Sequence, residues 1–296
     1  MRLFGANRWR FVIAALVLIG LASLVASLLA MTGVVHFGEK DQGVTEGEVH
    51  KVKDPEGRTY VLRVIEDDNV IANPIREGNF WEAHFLPKFK EYVEASLRPG
   101  DVILDIGANI GSHSVYLSNF ADVYAFEPQD SVLRVLRWNA ANNKRAHRIH
   151  VMDFGLYSES KTLHMNPIAK NEDGTLNFGG TGMRQSSGPM LSAAGEEVRV
   201  RKFDEFWPEQ KQRPRVGFIK IDIEGGETEA LAGMTDMLRR DAPLIQFEDW
   251  GEKHPNGKPR PKDVLEPLGY CINSIDDHNW LAVPPRLAQR FECAKK

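Results

Sequence analysis

The stretch DVILDIGANIGSHSVYL, residues 101–117, decides the fold: an apolar run, an acid, a glycine turn and the start of a helical segment. A short apolar run bounded by glycines reads as a buried strand, and the turn hands the chain to a helix packed behind it. The same order recurs downstream. DVYAFEP (122–128) is a strand, followed by helix-patterned DSVLRVLRWNAANNK (130–144) with Val132, Leu133, Leu136 and Trp138 facing inward. RIHVMDFGL (148–156) is a third strand. VGFIKIDIEGGETEALAGMTDMLRR (216–240) gives strand, turn and helix, PLIQFED (243–249) a fifth strand, and YCINSI and NWLAV strand-like pieces near the end. Alternation of this kind implies a parallel sheet with right-handed crossovers.

Ligands of an open α/β sheet sit beyond the carboxyl ends of its strands. The first strand ends at Asp105, followed by Gly107, Asn109 and Gly111. The second ends at Glu127-Pro128, the third at Asp153-Phe154, the fourth at Asp222 with Glu224, and the fifth at Glu248-Asp249. The glycine spacing is not the G-x-G-x-x-G of a pyrophosphate site, and an acid ahead of the turn would repel phosphate. It suits an ammonium or sulfonium, as in the methionine part of S-adenosylmethionine. Glu127 then fits an acceptor for two ribose hydroxyls, Asp153 an acceptor for the adenine amine, and Phe154 an apolar wall.

VILDIGANIGSHSVYLS, VYAFEP, FIKIDIEGGETEAL and IQFED together resemble the FkbM-type branch of the class I S-adenosylmethionine-dependent methyltransferases, over about residues 79–275. The resemblance implies a Rossmann-like α/β fold, a seven-stranded, mostly parallel sheet with helices on both faces and a reversed final hairpin. It also implies S-adenosyl-L-methionine as cofactor and O-methylation as the usual reaction. A hydroxyl acceptor must lose a proton, so carboxylates near the acceptor matter. Lys220, Asp222 and Glu224 share a side-chain phase if the strand stays extended. We therefore expect Asp222 as base or orienting group, with Glu224 and Glu248 shaping the pocket, and no metal. Glu227 reads equally as a helix cap. Of the nine histidines, His113 and His254 stand next to these elements.

Before the core, EVHKVKDPEGRTYVLRVIE (48–66) reads as a hairpin, and FWEAHFLPKFKEYVEASLRPG (80–100) as a helix stopped by Pro99-Gly100. The Gly-, Asn- and Ser-rich segment 166–195, with Asn177, Gly179, Gly180, Thr181, Gly182 and Met183, is too long for an ordinary connector and reads as a lid or a disordered loop. Residues 11–35 carry no charge, enough to cross a hydrocarbon core of ~30 Å as a helix. A cleaved signal peptide would have a shorter apolar run. The expected organisation is a basic segment 1–10, a transmembrane helix 11–35, a linker 36–46, a hairpin and helix over 47–98, and a methyltransferase domain over 99–296. Arg2, Arg8 and Arg10 favour a cytoplasmic N-terminus, and Lys40, Lys51 and Lys53 weaken that bias. Supply of the donor favours a catalytic domain on the cytoplasmic side, near a small-molecule, sugar or lipid-linked acceptor.

A net charge of −4 gives no footprint for nucleic acid, and the short basic runs read as solvated loops. Cys271 and Cys293 are too few for a disulfide framework, lack metal-ligand spacing and suit a reducing compartment. Two rival readings remain at this level: a nicotinamide-dependent oxidoreductase, and a membrane-tethered module that keeps the fold without transferring anything. Oligomeric state is not legible.

Overall fold

The computed structural model describes residues 47–293, apart from residues 67, 211, 250–258 and most of 167–195. The expected basic segment, membrane span and linker (1–46) lie outside the described residues, as does His254. Among the described residues no helix is long and apolar enough to cross a membrane.

The chain begins with the expected hairpin, β1 (Val49–Lys53) paired antiparallel with β2 (Thr59–Arg63). Helix α1 (Asn69–Arg76) follows. Pro74 within it hides it from a periodicity reading, and Asp68 caps it by accepting from the Val70 and Ile71 amides. A short 3₁₀ turn then leads into α2 (Leu86–Ser96), the expected helix before Pro99-Gly100.

The core alternates β3 (Val102–Ile106), α3 (Ser112–Leu117), β4 (Asp122–Phe126), α4 (Asp130–Ala141) and β5 (Ile149–Met152). After β5 the chain leaves the main sheet. Gly155–Leu156 (β6), Lys161–Met165 (β7) and Glu197–Arg201 (β8) form a smaller sheet with Met183–Arg184. The single strand expected over 148–156 is therefore split, because β6 pairs parallel with β8 instead of continuing beside β4. Next come α5 (Phe203–Phe206), β9 (Val216–Ile221), α6 (Glu227–Ala232), α7 (Thr235–Asp241) and β10 (Leu244–Glu248). Helix α8 (Pro261–Leu265) and the hairpin β11 (Cys271–Ser274) and β12 (Asn279–Val283) close the fold.

The seven-stranded sheet runs β11-β12-β10-β9-β3-β4-β5. Its last hairpin is antiparallel and the other five strands are parallel, as the resemblance implies. Both faces are covered. Ile103 and Phe218 pack into one apolar layer with α2, α3 and α4, while Leu104, Ile106, Ile219 and Ile221 pack into another with α5, α6 and α7. Fully buried strands of this sort read as continuous apolar runs, which is why they were legible.

The reading of Cys271 and Cys293 as suited to a reducing compartment is not matched by the structure: the two are joined by a disulfide, their Cα atoms 6.1 Å apart. Spacing alone does not show such a pairing. It arises because the C-terminal segment folds back on the edge strand β11, where Asn273 donates to the Phe291 carbonyl and the Phe291 ring meets Tyr92.

Candidate active site

The order of β3, β4 and β9 creates a switch point: the chain leaves β3 toward β4 on one side and returns as β9 on the other. A cavity of about 450 Å³ opens there, at the carboxyl ends of the strands. Its floor is the turn after β3. Gly107 is at φ 78° and Asn109 at φ 49°. A Cβ at position 107 would stand 1.8 Å from the Asp222 carbonyl oxygen, so only glycine lets the two strand ends approach so closely. Gly111, at φ 81°, meets Leu136 in the same way and starts α3 behind the cavity wall.

Glu127, at the end of β4, lines the cavity with 3% of its surface exposed. One carboxylate oxygen accepts from the Asn109 amide at 3.0 Å and the other from the Gln129 amide at 2.9 Å. Burial pushes its pKa up to about 7 against those two bonds. The carboxylate is thus locked to the floor turn, in the place expected for a ribose acceptor.

Asp105 is placed differently from its expected contact with the ligand. It is fully buried, does not line the cavity, and its carboxylate accepts from the Ser114 hydroxyl at 2.6 Å. Its neighbour across the sheet is Lys220, whose Nζ stands 3.8 Å away. Lys220 also donates to the Gly107 carbonyl and to Asp222, each at 3.3 Å. Burial alone would lower the lysine pKa, but Asp222, Asp105 and Glu82 together raise it above the ordinary value. Asp105 therefore acts from behind the floor, holding α3 and Lys220.

Asp153 and Phe154, the two residues expected at the adenine end, also lie off the cavity. Asp153 is exposed and pairs with Arg137 at 3.4 Å and Arg199 at 3.2 Å. Phe154 is buried against Phe126 and Phe206. Because β5 stops at Met152, it is Gly155 and Leu156 that reach the wall.

On the far side Asp222, Glu224 and Glu248 come together, with carboxylate oxygens within 4.8 Å of one another. Glu224 is not on an extended strand: β9 ends at Ile221, and Glu224 sits in the following turn at φ 54°. Glu227 holds that turn, accepting from the Ile223 and Gly225 amides at 3.0 and 3.3 Å. A divalent cation fits a trio of this spacing, and acidic groups also gather without one.

Several wall residues carried no sequence signal. Val70, Ile71, Trp81 and Glu82 come from the segment before the core, and His278 and Asn279 from the final hairpin. His113 is buried, with Nε2 at 3.2 Å from the Trp81 carbonyl oxygen and its pKa driven down by burial to about 3. Of the expected lid residues most lie outside the described ones, but Gly180 reaches the cavity wall.

A parallel switch-point cavity with a glycine floor and a buried carboxylate one strand away defines a nucleoside-binding α/β protein of the Rossmann-like class. Comparison with known sequences narrows it. The methyltransferase FkbM domain matches residues 105–272, more than half of the chain, and the chain belongs to that family. Hexuronic acid methyltransferase AglP of Haloferax volcanii is 30% identical over 139 residues, 47% of this chain and 52% of that protein. The 31-O-demethyl-FK506 methyltransferase FkbM of Streptomyces tacrolimicus is 30% identical over 162 residues, 47% of this chain and 62% of that one. The matches thus span about half to three-fifths of those relatives. A solved structure of a methyltransferase FkbM from Methylobacillus flagellatus aligns with 73% of this chain and 55% of its own, at 18% identity and a TM-score of 0.40. The matched region is a methyltransferase domain, and S-adenosylmethionine is the cofactor of such a domain. The floor that a Cβ would fill and the buried Glu127 fit that group.

Proposed function

We propose that the protein transfers the methyl group of S-adenosylmethionine to an oxygen of a small-molecule, sugar or lipid-linked acceptor, in the usual case a hydroxyl. The convergence of Asp222, Glu224 and Glu248 beside the glycine floor carries this reading. The bound cofactor supplies a methyl group on a cationic sulfur. The chain's part is to align the acceptor oxygen with that carbon and to take up its proton. Asp222 is oriented by the buried Lys220 ammonium and faces the cavity, which suits it to receive the proton or fix the hydroxyl. Glu224 and Glu248 offer further acceptors for neighbouring hydroxyls. The two relatives are named for a hexuronic acid and for 31-O-demethyl-FK506, the second name placing the methyl group on an oxygen.

The test is methyl transfer from labelled cofactor to a panel of sugars, hydroxy acids and lipid-linked glycans, with products heated in alkali. Alkali-stable methyl adducts are expected, since ethers survive where esters do not. Asp222→Asn is expected to lower turnover about 100-fold with little change in cofactor affinity. Full turnover by that variant removes the assignment of Asp222. Cofactor binding with no transfer across the panel favours the non-catalytic module instead.

The same reading puts segment 11–35 in a membrane, with the domain on the cytoplasmic side where the donor is made. Right-side-out vesicles should then shield the domain from added protease, and its digestion there would reverse the orientation.

A further inference from the structure

Of the described acids that line the cavity, Glu82 is the one that no strand end supplies, and it precedes the residues matched by the family. Its backbone holds the left-handed conformation, φ 50° and ψ 42°, in a loop pinned on either side by the buried Phe80 and Phe85. Residues with a Cβ adopt that conformation rarely, and such residues cluster at active sites and ligand clamps; Asn109 and Glu224, which line the same cavity, share it. The Glu82 carboxylate stands 3.9 Å from His113 Nε2. That imidazole is held neutral by burial and lies against the Trp81 carbonyl, so it brings no positive charge to Glu82. Lys220, whose field reaches Glu82, is already engaged by Asp222, Asp105 and the Gly107 carbonyl.

Glu82 is therefore a carboxylate without a cation at contact distance among the described residues. It lies beside His113 and within the field of Lys220, the ammonium that donates to the Gly107 carbonyl of the floor. On the reading of this cavity as the donor site, the side marked by Gly107 is where the sulfonium end lies, while Glu127 marks the ribose. Methyl transfer removes the positive charge there: the electrons of the broken carbon–sulfur bond stay on sulfur and leave a neutral thioether. We infer that Glu82 is the residue that makes the cavity prefer the cationic donor over its neutral product, by attracting the sulfonium electrostatically from a segment outside the family core.

The charged groups around Glu82 set the conditions for a test. Burial raises its pKa to about 7, Lys220 opposes that rise, and Asp222, Glu248 and Asp276 add to it. Its charge is therefore largely present at pH 8 and largely lost at pH 6. Calorimetry on the full chain would titrate S-adenosylmethionine, sinefungin (an amine in place of the sulfonium) and S-adenosylhomocysteine at both values. In Glu82→Gln at pH 8, affinity for the first two should fall roughly tenfold while the homocysteine product stays within about twofold. Glu82→Asp should keep most of the preference, and the preference of the unaltered chain should shrink at pH 6. Equal weakening of all three ligands in Glu82→Gln would mean a packing role and overturn the inference, as would an unchanged ratio. Failure of the unaltered chain to bind any of the three overturns the donor-site reading itself, and the inference with it.

Discussion

Glu127 shows what a single residue does in this fold. Its carboxylate accepts two floor amides, yet burial holds its pKa near 7, so in the ligand-free chain it is charged only at a cost. Raised pKa values in the folded state favour folding at low pH and withdraw that stability as pH rises through the folded value, here between about 4.5 and 7. Glu127→Gln should therefore remove this part of the fall of stability with pH, read as a urea midpoint that drops less between about pH 5 and 8, while its NH2 group, set against one of the two floor amides, costs a pH-independent amount. The same variant should weaken S-adenosylmethionine about 100-fold, because ribose hydroxyls need an acceptor charge. In the unaltered chain the cofactor's affinity should fall as pH drops through about 7. A variant with the flatter pH profile that still binds fully would break the link between charge and ligand. Glu127 was legible because it follows an apolar strand directly. Asp105 was legible as part of the site but misplaced, since strand order cannot show that Lys220 lies opposite it.

At the scale of elements, the join between the N-terminal hairpin and the core rests on two asparagines of α4. Asn139 accepts from the Arg63 amide at 2.6 Å and donates to the Arg63 and Ile110 carbonyls. Asn143, one turn later, repeats the pattern on Val61. The two amide side chains thus pair with the outer edge of β2 as a neighbouring strand would, and satisfy groups that burial would leave unpaired. Asn139→Ala should cost about 2–3 kcal/mol in a denaturation experiment, since it strands an amide and two carbonyls. A change under about 0.5 kcal/mol would show that water replaces the side chain. None of this was readable from the sequence: NAANN looks like the polar end of a helix, and the β2 edge is set by tertiary contact. The central strands were readable for the opposite reason, because each is apolar throughout. The smaller sheet was partly hidden, since β6 is two residues long and starts inside what reads as one strand.

The whole molecule carries its site at the meeting of two parts: a family core that supplies the floor, Glu127 and the three converging acids, and an N-terminal segment that supplies Trp81 and Glu82. The first part was legible strand by strand. The second was not, because a loop acid beside a helix has no pattern until the fold brings it over the cavity. The joined pair Cys271 and Cys293 bears on a different property, the chain's address in the cell. Thiols kept in a glutathione-buffered interior stay free, while those delivered to an oxidising exterior close. The disulfide fits a domain that meets an oxidising compartment, whereas the proposed cytoplasmic side predicts two free thiols in living cells: after trapping in acid, each should take a maleimide–polyethylene glycol tag once the protein is redissolved in denaturant at neutral pH. A chain that takes no tag has already crossed the membrane, and the methyl donor would then have to be supplied on that side.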